Sequence, residues 1–113
     1  MADGEDAPSQ RKPARHQGAV CVTARLEAEL GGEAVLEQAL AHFAAAVRVE
    51  EPGCTSYYIS RQIGSNRHFA VHARFADWAA FNAHAETPHM ELALARLSPA
   101  LAAPVALEIF LEV

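Results

Sequence analysis

The chain has 113 residues, about one domain, which is long enough for a single hydrophobic core and too short for two. Hydrophobic residues make up 51% and charged residues 20%, as in soluble globular proteins, and no apolar run approaches the roughly 20 residues that span a bilayer. The net charge is −5 and the nine basic residues are scattered, which excludes the basic patch expected of a nucleic-acid-binding protein.

The N-terminal segment, residues 1–17, combines Gly, Pro, Ser and both signs of charge with almost no apolar content. Such a segment cannot offset its ordering entropy by burial, so it is predicted to be a disordered tail before a single domain at residues 18–113. It lacks the apolar block of a secretory signal, and the protein is therefore expected to be cytoplasmic. Cys21 and Cys54 are interpreted as reduced core residues, as is usual in that compartment.

The first half of the domain is predicted to be strand, helix, strand. Residues 19–28 alternate apolar and polar side chains, the period of a half-buried strand. Residues 33–49 form an amphipathic helix, whose apolar stripe consists of Leu36, Leu40, Phe43 and Val47. Pro52 and Gly53 end this helix, and residues 54–63, rich in β-branched and aromatic side chains, form the second strand.

The second half is predicted to contain a strand, two helical pieces and a last strand. A Gly-Ser-Asn turn leads into the third strand at residues 67–75, which makes strands two and three antiparallel neighbours. Asp77 caps a helix at residues 78–85, and Thr87 caps a second piece that starts at Pro88 and ends at Ser98-Pro99. Residues 105–113 alternate Val, Leu and Ile with polar side chains and form the fourth strand.

The order βαββαβ predicts an α+β, ferredoxin-like fold: a four-stranded antiparallel sheet with the helices on one face. The first two strands carry apolar or aromatic side chains on both sides, so the helix-free face needs a cover. A second copy of the sheet is the simplest cover, and the pattern therefore predicts a homodimer through the sheet face.

Two motifs carry a resemblance to a known family: E-P-G-C-x-x-Y at residues 51–57 and D-x-x-A-F-x-x-H-x-x-T-P-H at residues 77–89. Over about residues 19–113 the chain resembles the antibiotic biosynthesis monooxygenases, small dimeric α/β-barrel proteins of ferredoxin-like fold. The resemblance implies a monooxygenase that oxidises a phenolic, quinol or polyketide-type aromatic with dioxygen and needs no flavin or metal cofactor. The deprotonated substrate supplies the electrons, and the protein supplies an apolar cavity, a general base and hydrogen-bond donors.

The candidate site residues concentrate at residues 69–90, which are expected to form the wall and mouth of a pocket. His84, one turn beyond Phe81, is the first candidate for the general base, and His72 is the second. The candidates for substrate binding are Tyr57, Phe81, Trp78, His89 and Arg74. Each has a structural alternative: His84 can interact with the last carbonyls of its helix, Tyr57 and Trp78 can serve as packing, and Arg74 can form a surface salt bridge.

Two other functions remain open. Many members of the family carry a glutamate where this chain has Ala73, which favours a non-catalytic ligand-binding or regulatory dimer as the alternative function. Haem degradation on the same fold ranks third, because strand one lacks the asparagine and strand three the tryptophan of that branch. Six histidines do not predict a metal site, since they include neither an i, i+4 helical pair nor a Cys-x-x-Cys anchor.

Overall fold

The structure is a computed structural model that describes residues 18–113, so the tail predicted at residues 1–17 lies outside the described residues. The elements follow the predicted order, with the second helical region divided in two at Glu86-Thr87 and followed by a short 3₁₀ turn at Ser98–Ala100. Their bounds are β1 (Val20–Glu27), α1 (Glu33–Glu50), β2 (Cys54–Arg61), β3 (His68–Phe75), α2 (Trp78–Ala85), α3 (Pro88–Leu97) and β4 (Ala106–Leu111).

The four strands form one antiparallel sheet in the order β2-β3-β1-β4. This is the predicted α+β, ferredoxin-like topology. The register places Tyr57, Ala73, Val22 and Ile109 in one row across the sheet, and Tyr58, His72, Thr23 and Glu108 in the next. Because neighbouring side chains on a strand point to opposite faces, these two rows face opposite sides of the sheet.

The core lies between the helices and one face of the sheet. The predicted apolar stripe of α1 packs against this face of the sheet and is buried. The side chains that β1 and β3 direct to the same face are buried as well. They include Leu36, Leu40, Phe43 and Val47 from α1, Val20, Val22 and Leu26 from β1, and Phe69, Val71 and Phe75 from β3. Each side chain of this size contributes about 1.5–3 kcal/mol when fully buried. No helix at residues 18–113 has the length and hydropathy of a membrane span.

The opposite face of the sheet carries no helix and mixes charged with aromatic side chains. Arg25 bonds Glu108 at 2.9 Å and Arg74 bonds Glu112 at 2.7 Å, and both pairs are exposed. Aromatic rings also lie on this face: Tyr58 is 66% exposed and Phe110 is 53% exposed.

Candidate active site

A buried carboxylate at the end of α1 bonds two histidines from two other helices. Glu51 is the C-cap of α1, where its backbone N–H donates to the carbonyl of Val47. Nδ1 of His84 lies 2.8 Å from Oε1 and 3.1 Å from Oε2 of Glu51, and Nε2 of His89 bonds Oε2. The three side chains are 9%, 10% and 16% exposed for Glu51, His84 and His89 respectively. We call these three residues the Glu51 cluster.

The two histidines present different nitrogens to the carboxylate. An ionised carboxylate only accepts hydrogen bonds, so both imidazoles donate: His84 through Nδ1–H and His89 through Nε2–H. When both rings are neutral, Nε2 of His84 and Nδ1 of His89 are therefore proton acceptors. The carboxylate fixes the tautomer of each ring in the way that a buried acid orients a catalytic histidine.

Aromatic rings surround the two imidazoles on the core side. The ring of His84 lies 4.8 Å from Phe75, 5.5 Å from Phe43 and 6.1 Å from Tyr57, measured between ring centroids. The ring of His89 lies 5.7 Å from Phe43. These rings lower the local dielectric constant, which strengthens the electrostatic interactions within the cluster.

Burial raises the pKa of the Tyr57 phenol well above its ordinary value of 10.0, with smaller contributions from Cys54 and Glu51. The Tyr57 hydroxyl therefore stays protonated near neutral pH and is a hydrogen-bond donor, not a base. Burial also raises the pKa of the Cys54 thiol above its ordinary value of 9.0, and the negative charge of Glu51 makes a smaller contribution in the same direction. Cys21 and Cys54 are both free thiols and partly buried.

The junction between α2 and α3 fixes the separation of the two histidines. The hydroxyl of Thr87 donates to the carbonyl of His84 at 3.1 Å and accepts from the N–H of Met90 at 3.1 Å. The Thr87 side chain is thus the predicted N-cap of α3, and its hydroxyl also connects α3 to the end of α2 by a hydrogen bond. At the other end of α2, the Asp77 carboxylate accepts from the N–H of Ala80 at 2.8 Å, which confirms the second predicted cap.

Close backbone approach brings α2 near Glu51. A Cβ built on Gly53 would lie only 2.6 Å from Cβ of Ala80 in α2. The carbonyl of Gly53 also accepts a hydrogen bond from the N–H of Ala76, just before α2, at 2.7 Å. Only glycine at position 53 leaves room for this contact, so the E-P-G-C motif positions His84 against the carboxylate.

Two open depressions adjoin the α2–α3 junction and share Thr87 and Pro88. The first, of about 530 Å³, has His89 in its lining and is called the α1-side depression; its other residues are Ala46, Glu50 and Leu92. The second, of about 380 Å³, is called the α2-side depression and includes Glu86, Met90, Glu91 and Leu94. Both volumes fall within or near the range of small-molecule sites. Within the Glu51 cluster, His89 is thus the histidine that borders an open space.

The structure brings together some of the predicted site residues and separates others. The ring of Phe75 joins His84 to Phe81, at 4.8 Å and 5.7 Å between centroids, and Phe81 lies 5.6 Å from Trp78. His72 is exposed on the helix-free face, across the sheet from His84. Arg74 lies on that face in its pair with Glu112, the structural alternative predicted for it.

The sequence interpretation missed Glu51 as a site residue. Glu51 enters the prediction only as a residue of the E-P-G-C motif, yet its carboxylate is the group that both histidines contact. The one available signal was its position at the head of the E-P-G-C motif. Its partners lie 33 and 38 positions away, so no periodicity in the sequence links them. At residues 18–113 no group of three histidine, cysteine or acidic side chains has a geometry that could hold a metal ion.

The profile of the antibiotic biosynthesis monooxygenase family matches residues 19–96. The chain belongs to this family. A comparison with curated proteins found no match.

Solved structures from several bacteria share the fold along most of the chain. A candidate antibiotic biosynthesis monooxygenase from Caulobacter crescentus is 28% identical with a TM-score of 0.82, over 87% of this chain and 92% of that one. A second candidate of the same description, from Deinococcus radiodurans, is 25% identical with a TM-score of 0.74, over 80% and 89%. A Mycobacterium tuberculosis protein, 23% identical with a TM-score of 0.79 over 85% and 96%, shows the fold alone.

Proposed function

We propose that the protein is a cofactor-independent monooxygenase that oxidises a phenolic, quinol or polyketide-type aromatic with dioxygen at the Glu51 cluster. The observation that carries the proposal is the buried carboxylate of Glu51, held between His84 and His89 inside the two motifs that mark the family. A paired imidazole and carboxylate is the arrangement that general-base chemistry uses to remove a hydroxyl proton near neutral pH.

In this proposal His89 is the base that meets the substrate, because it is the histidine of the cluster in the lining of an open depression. Its Nδ1 accepts the phenolic proton while Nε2–H stays on Glu51, whose negative charge stabilises the imidazolium that forms. The phenolate ring passes electrons to dioxygen and a carbon–oxygen bond forms. The peroxide takes the proton back from His89; the same ring carbon then loses its C–H proton as the O–O bond breaks, so that the quinone C=O forms and the departing hydroxide takes up that proton and leaves as water.

His84, the first candidate for the base in the sequence, is in this proposal a positioning residue that acts through the shared carboxylate. Its Nδ1–H lies nearer to Oε1 of Glu51, at 2.8 Å, than to Oε2, at 3.1 Å, and Oε2 is the oxygen that bonds His89. Its own Nε2 is a second acceptor among the rings of Phe43 and Phe75. The Tyr57 phenol, protonated because of its raised pKa, supplies a donor near the same rings.

The experiment is oxygen uptake by metal-free protein over a panel of naphthohydroquinones and anthrones, with quinone formation followed by absorbance. Turnover of at least one compound is expected, and loss of the base in His89→Ala should lower it by roughly 10²–10⁴-fold. His84→Ala and Glu51→Gln should also lower turnover, since each removes part of the cluster. The matched control is His42→Ala, because His42 is an exposed histidine of α1 outside the cluster.

The proposal is contradicted if no compound of the panel is turned over, or if the His89→Ala and His84→Ala variants keep full activity.

The second candidate function is a non-catalytic ligand-binding dimer. It is favoured by Ala73, which is buried on the helix side of β3 and brings no carboxylate there. It predicts that aromatic ligands raise the melting temperature while no oxygen is consumed. In that case the Glu51 variants would lower stability and ligand affinity only.

A further inference from the structure

A third depression, of about 540 Å³, lies at the end of the sheet opposite to the Glu51 cluster. The strand β2 begins at Cys54, close to Glu51 in the chain, and ends at Arg61, which lines this depression. A strand of eight residues spans roughly 25 Å, so about the length of the sheet separates the two places. We call this space the sheet-end depression. Its volume falls within the range of small-molecule sites, and none of the three residues of the Glu51 cluster lines it.

The concave shape follows from the side chains of one row of the sheet. The register places four residues side by side across β2, β3, β1 and β4, and all four line the depression: Ser60, Ala70, Arg25 and Ala106. Ser60 lies two positions beyond Tyr58 on β2, so this row is on the helix-free face, at the end of the sheet. Three of the four side chains are small. The row is therefore a shallow, mainly apolar floor with Arg25 as its one long side chain.

The guanidinium of Arg25 has unused hydrogen-bond donors. It carries five N–H groups, and within residues 18–113 only Nη1 donates, to Glu108 at 2.9 Å. The side chains of this ion pair are 63% and 51% exposed, so the pair contributes little to stability and leaves the guanidinium free to adjust. The edge formed by Nε–H and Nη2–H matches the two oxygens of a carboxylate.

A second unused donor comes from His68 at the start of β3. Its Nδ1 lies 2.6 Å from the hydroxyl oxygen of Ser65, and that oxygen also accepts from the N–H of Arg67 at 3.2 Å. The Ser65 hydroxyl therefore donates its own proton to Nδ1, so the neutral imidazole carries its proton on Nε2. Nε2 lies 3.9 Å from Glu27, which is beyond hydrogen-bond distance. His68 lines the depression, and its Nε2–H is available there.

The other charged groups of the lining are paired with each other's opposites nearby. Glu27 is the carboxylate of the lining, and its Oε2 accepts from Nη2 of Arg67 at 2.7 Å. Arg61 also lines the depression and bonds Glu37 of α1. A ligand in the depression therefore meets the unused N–H groups of Arg25 and His68, and the negative charge of Glu27 is offset by Arg67.

We infer that the sheet-end depression binds a small carboxylate that carries an apolar body, at a site separate from the Glu51 cluster. The carboxylate accepts from the guanidinium of Arg25 and from Nε2–H of His68. The apolar body lies on the floor formed by Ala70 and Ala106. An uncharged ligand of the same shape loses the charge-assisted bonds, and a carboxylate without an apolar body leaves the floor uncovered.

The test is a titration of the ¹⁵N-labelled full chain with three probes, 2-naphthoate, 2-naphthamide and acetate, followed by the NMR shifts of the backbone amides. 2-Naphthoate is expected to saturate a site, with its largest shifts at His68, Ala70 and Ala106. Its Kd should be about tenfold lower than that of 2-naphthamide, because a bidentate bond to a guanidinium is charge-assisted. Acetate should bind at least about tenfold more weakly than 2-naphthoate, because it buries almost no apolar surface.

Arg25→Gln should raise the Kd of 2-naphthoate about tenfold, while the Kd of 2-naphthamide stays within about twofold. Ala70→Leu places a bulky side chain on the floor and should abolish the binding of both naphthalene compounds. The matched control is Arg96→Gln, which removes the same charge from an exposed position in the last turn of α3, outside the depression. It should leave both Kd values within about twofold.

The inference is overturned if 2-naphthoate does not bind, if it binds no more tightly than 2-naphthamide, or if Arg25→Gln and Arg96→Gln have equal effects. It is also overturned if the shifts fall at His84 and His89, which would place the ligand at the Glu51 cluster. The binding series uses no oxygen and no oxidisable substrate, so its result is independent of the proposed monooxygenase activity.

Discussion

Tyr57 has the clearest individual consequence among the site residues. Its hydroxyl is enclosed near Phe43 and His84, and burial holds its pKa above the value of the unfolded chain. Both states are protonated below pH 10, so no difference arises there. Above pH 10 the unfolded chain loses the proton and the folded chain keeps it, so ionisation stabilises the unfolded state relative to the folded one.

We therefore predict that the free energy of unfolding falls as the pH rises above about 10, by up to about 1.4 kcal/mol per pH unit from Tyr57 alone. Urea unfolding between pH 8 and pH 11 measures the slope. Cys54 has a raised pKa as well and contributes a slope of the same sign from about pH 9. The comparison is therefore made in a Cys54→Ala background, where Tyr57→Phe should remove the remaining slope. An unchanged slope in the double variant would refute the prediction.

At the scale of elements, the site depends on how closely α2 docks against the start of β2. Gly53 and Ala80 are in contact with no room for another methyl group, and the Ala76–Gly53 hydrogen bond fixes the same contact. His84 lies one turn beyond Ala80 on α2, so a displacement of the helix moves the imidazole away from Glu51. The hydrogen bond from the Thr87 hydroxyl to the carbonyl of His84 would transmit part of that displacement to α3.

Gly53→Ala is predicted to lower the free energy of unfolding by about 1–3 kcal/mol, the usual cost of an added methyl group in a packed contact. Turnover should fall with it, because the hydrogen bond from His84 to Glu51 lengthens. Chemical denaturation and oxygen uptake give the two readings. The matched background is Ala80→Gly, which removes the opposing methyl group: there the cost of Gly53→Ala should be clearly smaller. Equal costs in both backgrounds would show that the close approach does not determine this position.

At the scale of the whole molecule, the helix-free face exposes aromatic rings between ion pairs. Tyr58 and Phe110 lie on this face beside the Arg25–Glu108 and Arg74–Glu112 pairs. A second copy of the same face would bury the rings and keep the ion pairs at its rim, which is the usual anatomy of an isologous interface. The homodimer stays a prediction from this surface and from the family.

We predict that sedimentation equilibrium gives a mass of twice the 12.1 kDa chain, and that Phe110→Glu shifts the equilibrium towards the monomer by at least tenfold in Kd. The control is Ile63→Glu, since Ile63 is an equally apolar, fully exposed residue in the β2–β3 turn, off the strands of this face. The dimer should survive that change. A monomer in the unchanged protein, or equal effects of the two variants, would remove the sheet face as the interface.

The sequence alone determined the element order, the caps at Asp77 and Thr87, and the buried stripe of α1. Those features follow from local periodicity and from side chains that bond backbone groups within a few residues, so they can be read along the chain. The ferredoxin-like topology followed because βαββαβ order leaves few ways to pair four strands. The family motifs located His84 and His89 without showing what joins them.

The arrangement of the candidate site is visible only in the tertiary structure. It placed Glu51 between two histidines from α2 and α3, put His72 on the other face of the sheet, and paired Arg74 with Glu112. Each of these contacts joins residues more than 30 positions apart, and it depends on how three helices pack on the sheet within a few ångströms. Alternation along β3 tells which residues share a face but not which face the helices cover. Local sequence marks Glu51 only by its place in the E-P-G-C motif, which does not show that two histidines contact its carboxylate.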